Sequence, residues 1–181
     1  SLQRIYVHQS IYDQFTESFV KETKKLKVGN PFDPQTDISA MIHPKEVERI
    51  KEWIDEAVLQ GAKIATGAEF TNRTMTPTVM IDVKPDMKIM CLETFAPIVS
   101  IVPYKTLDEA ISYVNDSDLG LNAGIYTNVL TDAMKAADEL EAGTVVVNDI
   151  PTFRVDHMPY GGVKNSGYGR EGIKYAIQEM T

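Results

Sequence analysis

Residues 158–172 read MPYGGVKNSGYGREG, with five glycines and the cations Lys164 and Arg170. Backbone N–H groups and cations in such a stretch can cradle a phosphate, so a nucleotide loop is the first chemistry to test. The pattern G-x-x-x-x-G-K-[ST] starts correctly at Gly162 and Gly167. Tyr168 and Gly169 then occupy the lysine and hydroxyl positions. Neither the charge for the phosphates nor the magnesium ligand is present. Residues 167–172 spell G-x-G-x-x-G, but a long, mostly polar stretch separates them from the preceding strand-like run. Too few residues follow for a βαβ unit with its ribose-binding acid. The plainer reading is that these glycines permit positive-φ turns and close backbone approach. The single thiol, Cys91, has no histidine nearby in sequence to activate it, so a buried structural cysteine is expected. His8, His43 and His157 lie far apart without ligand spacing, and no metal site is expected.

The bulk composition narrows the partners. Net charge is −8, the wrong sign for a nucleic-acid footprint, so no nucleic acid is expected. No apolar run approaches the roughly 20 residues that span a bilayer, and no membrane partner is expected. One cysteine excludes an internal disulfide, and no signal peptide precedes the first strand-like run. Both point to a reducing, cytoplasmic setting. A length of 181 residues fits one domain covering 1–181.

The elements that must position these groups alternate in type. Residues 3–8 (QRIYVH) suit a buried strand. Ser10 reads as the N-cap of a helix carrying Ile11, Phe15, Phe19 and Leu26 on one face. A proline-containing loop, 29–37, ends it. A second helix runs over 44–60, with Val47, Ile50, Ile54, Ala57 and Val58 facing inward and Gly61 as its stop. Strands follow at 63–66, 78–83 and 97–104. Thr106 and Glu109 form a capping box for a helix to about Asn115. A strand at 123–126 precedes a helix over 130–141, with Leu130, Met134, Ala137 and Leu140 on one face. TVVVN at 144–148 reads as a central strand buried on both sides. Ile173, Ile177 and Met180 mark a last helix. The alternation predicts an α/β fold: an open, mostly parallel sheet flanked by helices. The chain begins just before a buried strand and stops within a helix, as a fragment would.

Four segments in order give the chain a resemblance to the aldehyde dehydrogenase superfamily, specifically its C-terminal catalytic part. SLQRIYVH (1–8) looks like the strand after the family's nucleophile. ETFAPI (93–98) is similar to its E-x-F-G-P-V segment. AGTVVVN (142–148) is like its G-x-V-x-V-N strand, and PYGGVKNSG (159–167) like its P-F-G-G-x-K-x-S-G. Leu92, Ala96 and Tyr160 depart from the usual glutamate, glycine and phenylalanine. Ser1, Gln3 and Arg4 match the end of C-x-S-x-Q-R, which places the nucleophilic cysteine two residues before Ser1. No catalytic residue is therefore assigned within the chain, and Cys91 lies in the wrong motif. The resemblance also places the general base, the cofactor domain and the oligomerisation strand outside it.

What the resemblance implies is NAD- or NADP-dependent oxidation of an aldehyde to a carboxylic acid through a cysteine thioester. Glu93 corresponds to the glutamate that accepts hydrogen bonds from the nicotinamide ribose; without the motif it would be a solvated loop carboxylate. Phe95 corresponds to the aromatic packed near the nicotinamide, against the alternative of an ordinary core aromatic. Tyr160 corresponds to a tunnel-lining aromatic, or else packs under the glycine turn. Arg154 lies in a loop lining the tunnel mouth, where it would hold an anionic substrate tail, or else pairs with Asp149 or Asp156. By weaker resemblance, the face of Glu46 and Arg49 approaches the cofactor. Asn148 and Lys164 read as braces for their turns. The expected partner is a small-molecule aldehyde such as a semialdehyde or lactaldehyde, in a parent homodimer or homotetramer. The fragment alone is expected to be inactive. The competing readings are a non-catalytic truncated interaction module of the same fold and an unrelated α/β phosphate-binding protein.

Overall fold

The computed structural model describes residues 2–181 and divides into two compact units, Ser1–Tyr104 and Lys105–Thr181. Ser1, and with it the serine of the pattern above, lies outside the described residues.

The first unit contains β1 (Arg4–His8), α1 (Tyr12–Thr23), α2 (Pro44–Leu59), β2 (Lys63–Thr66), β3 (Phe70–Thr71), β4 (Thr74–Met75), β5 (Thr78–Ile81), α3 (Lys88–Cys91) and β6 (Ile98–Tyr104). Its four-stranded sheet has the order β1-β6-β5-β2; the first two pairings are parallel and the last antiparallel. Strand alternation sends Met80 and Ile98 to one face and Val79, Val99 and Ile101 to the other. On the first face lie Val47, Ile50, Ile54 and Ala57 of α2, with Ile50 fully buried. On the second lie Tyr12, Phe15, Phe19 and Val20 of α1. The mostly parallel, helix-flanked sheet expected from the sequence is present, and its central strands are β5 and β6.

Local chemistry sets the ends of these helices, not always as the sequence suggests. Ser10 does not cap α1. It sits in a single 3-10 turn, Gln9–Ile11, where the His8 ring accepts its N–H at 3.3 Å. Ile11 then precedes α1 without a side-chain cap, and Leu26 falls beyond the last turn; both are exposed. In α2, His43 Nδ1 accepts from the Lys45 N–H at 3.1 Å, and Pro44 occupies the first turn where its missing donor costs nothing. Val58, expected inside, is exposed. The β3–β4 hairpin and the one-turn α3 were not anticipated. Asn72, at φ +53, makes the hairpin turn, and Arg73 holds the carbonyls of Met41 and Ile42 at 3.0 and 2.7 Å.

The second unit contains α4 (Leu107–Asn115), β7 (Leu119–Gly120), β8 (Asn122–Ile125), α5 (Leu130–Glu139), β9 (Thr144–Val147), β10 (Val163–Lys164) and α6 (Ile173–Met180). β8 and β9 pair in parallel across α5, and β7 pairs with β10 in antiparallel. Thr106 caps α4 by accepting the Glu109 N–H at 3.2 Å, while Glu109 accepts the Lys105 N–H at 2.6 Å. Two expectations fail here. α5 buries Ala133 and Ala136, whereas Leu130, Met134 and Ala137 are exposed. β9 has a single partner strand and is only half-buried, with Val147 44% exposed. A continuous valine run therefore marks strand propensity without marking a sheet centre. The residues expected to make α6 do so, but Ile173, Ile177 and Met180 are exposed.

Candidate active site

Residues 92–97 join α3 to β6, and their fixed point is Thr94. It is 2% exposed, while Glu93 and Phe95 on either side face outward. The Thr94 N–H donates to Gln3 Oε1 at 3.2 Å, and its hydroxyl lies 3.4 Å from the same oxygen. Its carbonyl accepts from Arg49 Nη2 at 2.7 Å. Gln3 Nε2 donates to the carbonyls of Leu92 and Ile89 at 2.6 and 3.2 Å. This network sets the orientation of the carboxamide, since a flipped group would aim its oxygen at two carbonyls. Arg49 is pinned in turn, with Nε 2.8 Å from Glu46 Oε2 and the guanidinium 4.3 Å from the Trp53 ring centroid.

Phe95 has φ +47, a backbone state that costs a non-glycine residue about 1–3 kcal/mol. The bonds to both sides of Thr94 hold it there. Phe95 is 70% exposed, which removes the reading as a core aromatic. With residues 39–42 and Glu46 it lines an open groove of about 640 Å³. Glu93 does not line the groove, but stands two residues from Phe95. Among the described residues it has neither a hydrogen-bond nor an ion-pair partner. A carboxylate so placed keeps its acceptor capacity free for hydroxyl donors. Cys91, expected to be buried, is exposed: it ends α3 at the start of this loop, with Sγ 3.8 Å from the Asp86 carbonyl.

The second unit brings Arg154 and Tyr160 together. The guanidinium lies 4.3 Å from the centroid of the half-buried Tyr160 ring. Its ionic partner is Glu171 at 3.3 Å, not Asp149 or Asp156. The pairing follows from the backbone, because Tyr160 and Glu171 exchange N–H···O bonds of 3.2 and 2.6 Å across an isolated antiparallel bridge. That bridge holds the Glu171 side chain within reach of Arg154, a placement that sequence proximity could not reveal. Tyr160, the glycines and Arg170 line a concavity of about 440 Å³. Two glycines are required here by space. A Cβ on Gly143 would stand 1.6 Å from the Gly161 carbonyl oxygen, and one on Gly162 would stand 2.8 Å from the Ser166 carbonyl carbon. Lys164 Nζ pairs with the Glu141 carboxylate and donates to the carbonyls of Asn115 and Ser117, at and just beyond the end of α4, at 2.7 and 3.0 Å. The Asn148 carboxamide binds the Thr127 N–H and carbonyl at 2.9 and 3.0 Å.

Gln3, Thr94 and Glu171 were not assigned roles from the sequence. Gln3 was visible as part of a motif, but the partners that give it a task lie 86–91 residues away. Among the described residues no group of three or more His, Cys, Asp or Glu side chains is placed to hold a metal, and no helix is long and apolar enough to cross a membrane.

Comparison with known proteins shows the same relationship throughout the chain. The model of the aldehyde dehydrogenase family matches residues 1–181. A 3-sulfolactaldehyde dehydrogenase of Priestia aryabhattai is 55% identical over 181 residues, covering 100% of this chain and 38% of that protein. The crystal structure of aldehyde dehydrogenase 21 from Physcomitrella patens, in complex with its reaction product succinate, superimposes with a TM-score of 0.95 at 42% identity. It covers 98% of this chain and 37% of that one. The glyceraldehyde-3-phosphate dehydrogenase of Methanocaldococcus jannaschii, complexed with NADP, gives 0.95 at 39% identity, covering 99% and 39%. The chain thus spans well under half the length of these relatives. The match of sequence over its whole length, and of backbone over nearly all of it, places the chain in the aldehyde dehydrogenase family.

Proposed function

We propose that this chain forms part of a longer NAD(P)-dependent aldehyde dehydrogenase and supplies walls of its cofactor and substrate sites. The observation that carries the proposal is the Glu93–Phe95 loop. A partner-free carboxylate and an outward aromatic are held on one buried threonine beside an open groove. The donor set fits the ribose end of a nicotinamide nucleotide: Glu93 accepts from a diol, and Phe95 offers a ring face. NAD or NADP, when bound, supplies the hydride acceptor. The residues of this chain bind and orient. In this reading the cysteine that adds to the aldehyde stands two residues before Ser1. The cofactor domain, the general base and the oligomerisation strand also belong to the longer polypeptide, working as a cytoplasmic homodimer or homotetramer.

Arg154 and Tyr160 are proposed to face the substrate. Glu171 engages only one terminal nitrogen of the guanidinium, leaving further N–H donors for an anionic tail. The names of the relatives support a small aldehyde bearing an anionic or hydroxyl group: one acts on 3-sulfolactaldehyde, and another holds succinate.

The test compares two proteins with a panel of anionic and neutral aldehydes and both cofactors. The full-length polypeptide carrying this chain is expected to reduce NAD or NADP, fastest with anionic aldehydes. The 181-residue chain alone is expected to reduce neither. In the full-length enzyme Glu93→Gln slows hydride transfer in single turnovers. Cofactor reduction by the short chain, or an unchanged Glu93→Gln enzyme, would overturn these assignments.

A further inference from the structure

Resting on that reading of Glu93 and Phe95, we infer that Gln3 is a positioning residue that fixes the cofactor-facing loop to the strand leading from the reactive cysteine. β1 begins at Arg4, so Gln3 stands at its root. Its backbone joins the sheet by accepting the Ser100 N–H at 2.9 Å. The carboxamide reaches the other way, to the loop. It satisfies the carbonyls of Leu92 and Ile89 and the N–H of Thr94, so it touches the residues before and after Glu93. Arg49 holds the Thr94 carbonyl from the opposite side, and Glu46 and Trp53 fix Arg49.

Few other side chains suit this position. The task needs two donors and one acceptor in a planar group of this length, which a primary amide provides. Glutamate lacks the donors, and methionine fills the space without either function. The bonds are long-range in sequence, and those to Thr94, itself 2% exposed, lie where water is a poor substitute. The loop they hold includes the strained Phe95, which would relax if released. Gln3 touches neither cofactor nor substrate in this scheme. It acts by keeping Glu93 and Phe95 in register with the thiol that carries the hydride donor. Misplacement of about 1 Å between reacting groups can cost a rate factor on the order of 10².

The experiment uses the full-length enzyme with Gln3→Glu and Gln3→Met, two variants that keep the volume. Expected are a rise of roughly tenfold in the KM for NAD(P), an aldehyde KM within about twofold of the parent, and slowed hydride transfer. An enlarged primary isotope effect with the 1-deuterated aldehyde reports that slowing. A fall in kcat with both KM values and the isotope effect unchanged would mean loss of folded enzyme only, and would overturn the role. So would two variants indistinguishable from the parent. A parent enzyme that oxidises no aldehyde overturns the site reading and this role together; an active parent with silent variants overturns the role alone.

Discussion

The Glu93 loop and the Arg154 loop are held in different ways. Thr94, between Glu93 and Phe95, is tied to Gln3 and Arg49, both distant in sequence. The core on the α2 face of its unit fully buries Ile50, Met75, Met80 and Ile89. Arg154 rests on an aromatic face and one ion pair, each partly exposed. The buried apolar residues of its unit, among those described, are Ala110, Ile111, Ala133 and Ala136. That unit keeps its shape through caps, carbonyl bracing by Lys164 and Asn148, and glycine contacts that bring backbone onto backbone. A loop tied by polar bonds to residues beside a large apolar core is fixed by the core, whereas a loop braced by caps and carbonyl contacts can vary without disturbing one.

The largest effect should come from the first region. Ile50→Ala empties a fully buried site, and denaturant unfolding should show a loss of about 2–5 kcal/mol. A loss below about 1 kcal/mol would mean that this core is not what separates the regions. Gly143→Ala should be next, at about 1–3 kcal/mol, because the added methyl meets the Gly161 carbonyl. Hydrogen exchange at the Thr144 amide, bonded to the Leu121 carbonyl, locates the damage. Native protection there would show that the glycine contact is dispensable. Thr106→Ala removes the α4 cap at a cost of about 1 kcal/mol, readable in the same unfolding experiment.

The smallest effect concerns acid. Hydrogen bonding from the Tyr113 hydroxyl, then from the Lys105 N–H, holds the Glu109 carboxyl below its ordinary pKa. A lowered folded-state pKa adds stability above the unfolded value that is lost as pH falls through the carboxylate range. Tyr113→Phe should flatten the acid limb of the stability profile slightly. An unchanged limb would remove the Tyr113–Glu109 bond from the contacts that hold the second region.

The strands of the first sheet, the long helix α2 and the Thr106 cap were legible because each follows from local pattern: apolar β-branched runs, periodicity, or a capping residue three positions before its partner. The boundary at Ser10 was misread because its hydroxyl lies 2.7 Å from His8 Nδ1, two residues earlier, instead of capping an N–H of α1. α5 misled for another reason. Periodicity ranks Leu130 and Met134 above alanine, whereas the face that α5 buries carries the small Ala133 and Ala136. At the candidate site, motifs pointed to Glu93, Phe95, Arg154 and Tyr160. What holds them stayed hidden, because Gln3–Thr94 and Arg154–Glu171 are tertiary pairs that no local spacing encodes.

The exposed thiol at the end of α3 has a practical use. Cys91 is the single cysteine of the chain and lies two residues before Glu93. A maleimide dye attached there would sit on the loop while leaving Gln3, Thr94 and Arg49 chemically intact. Its emission would become an optical gauge of that loop's surroundings.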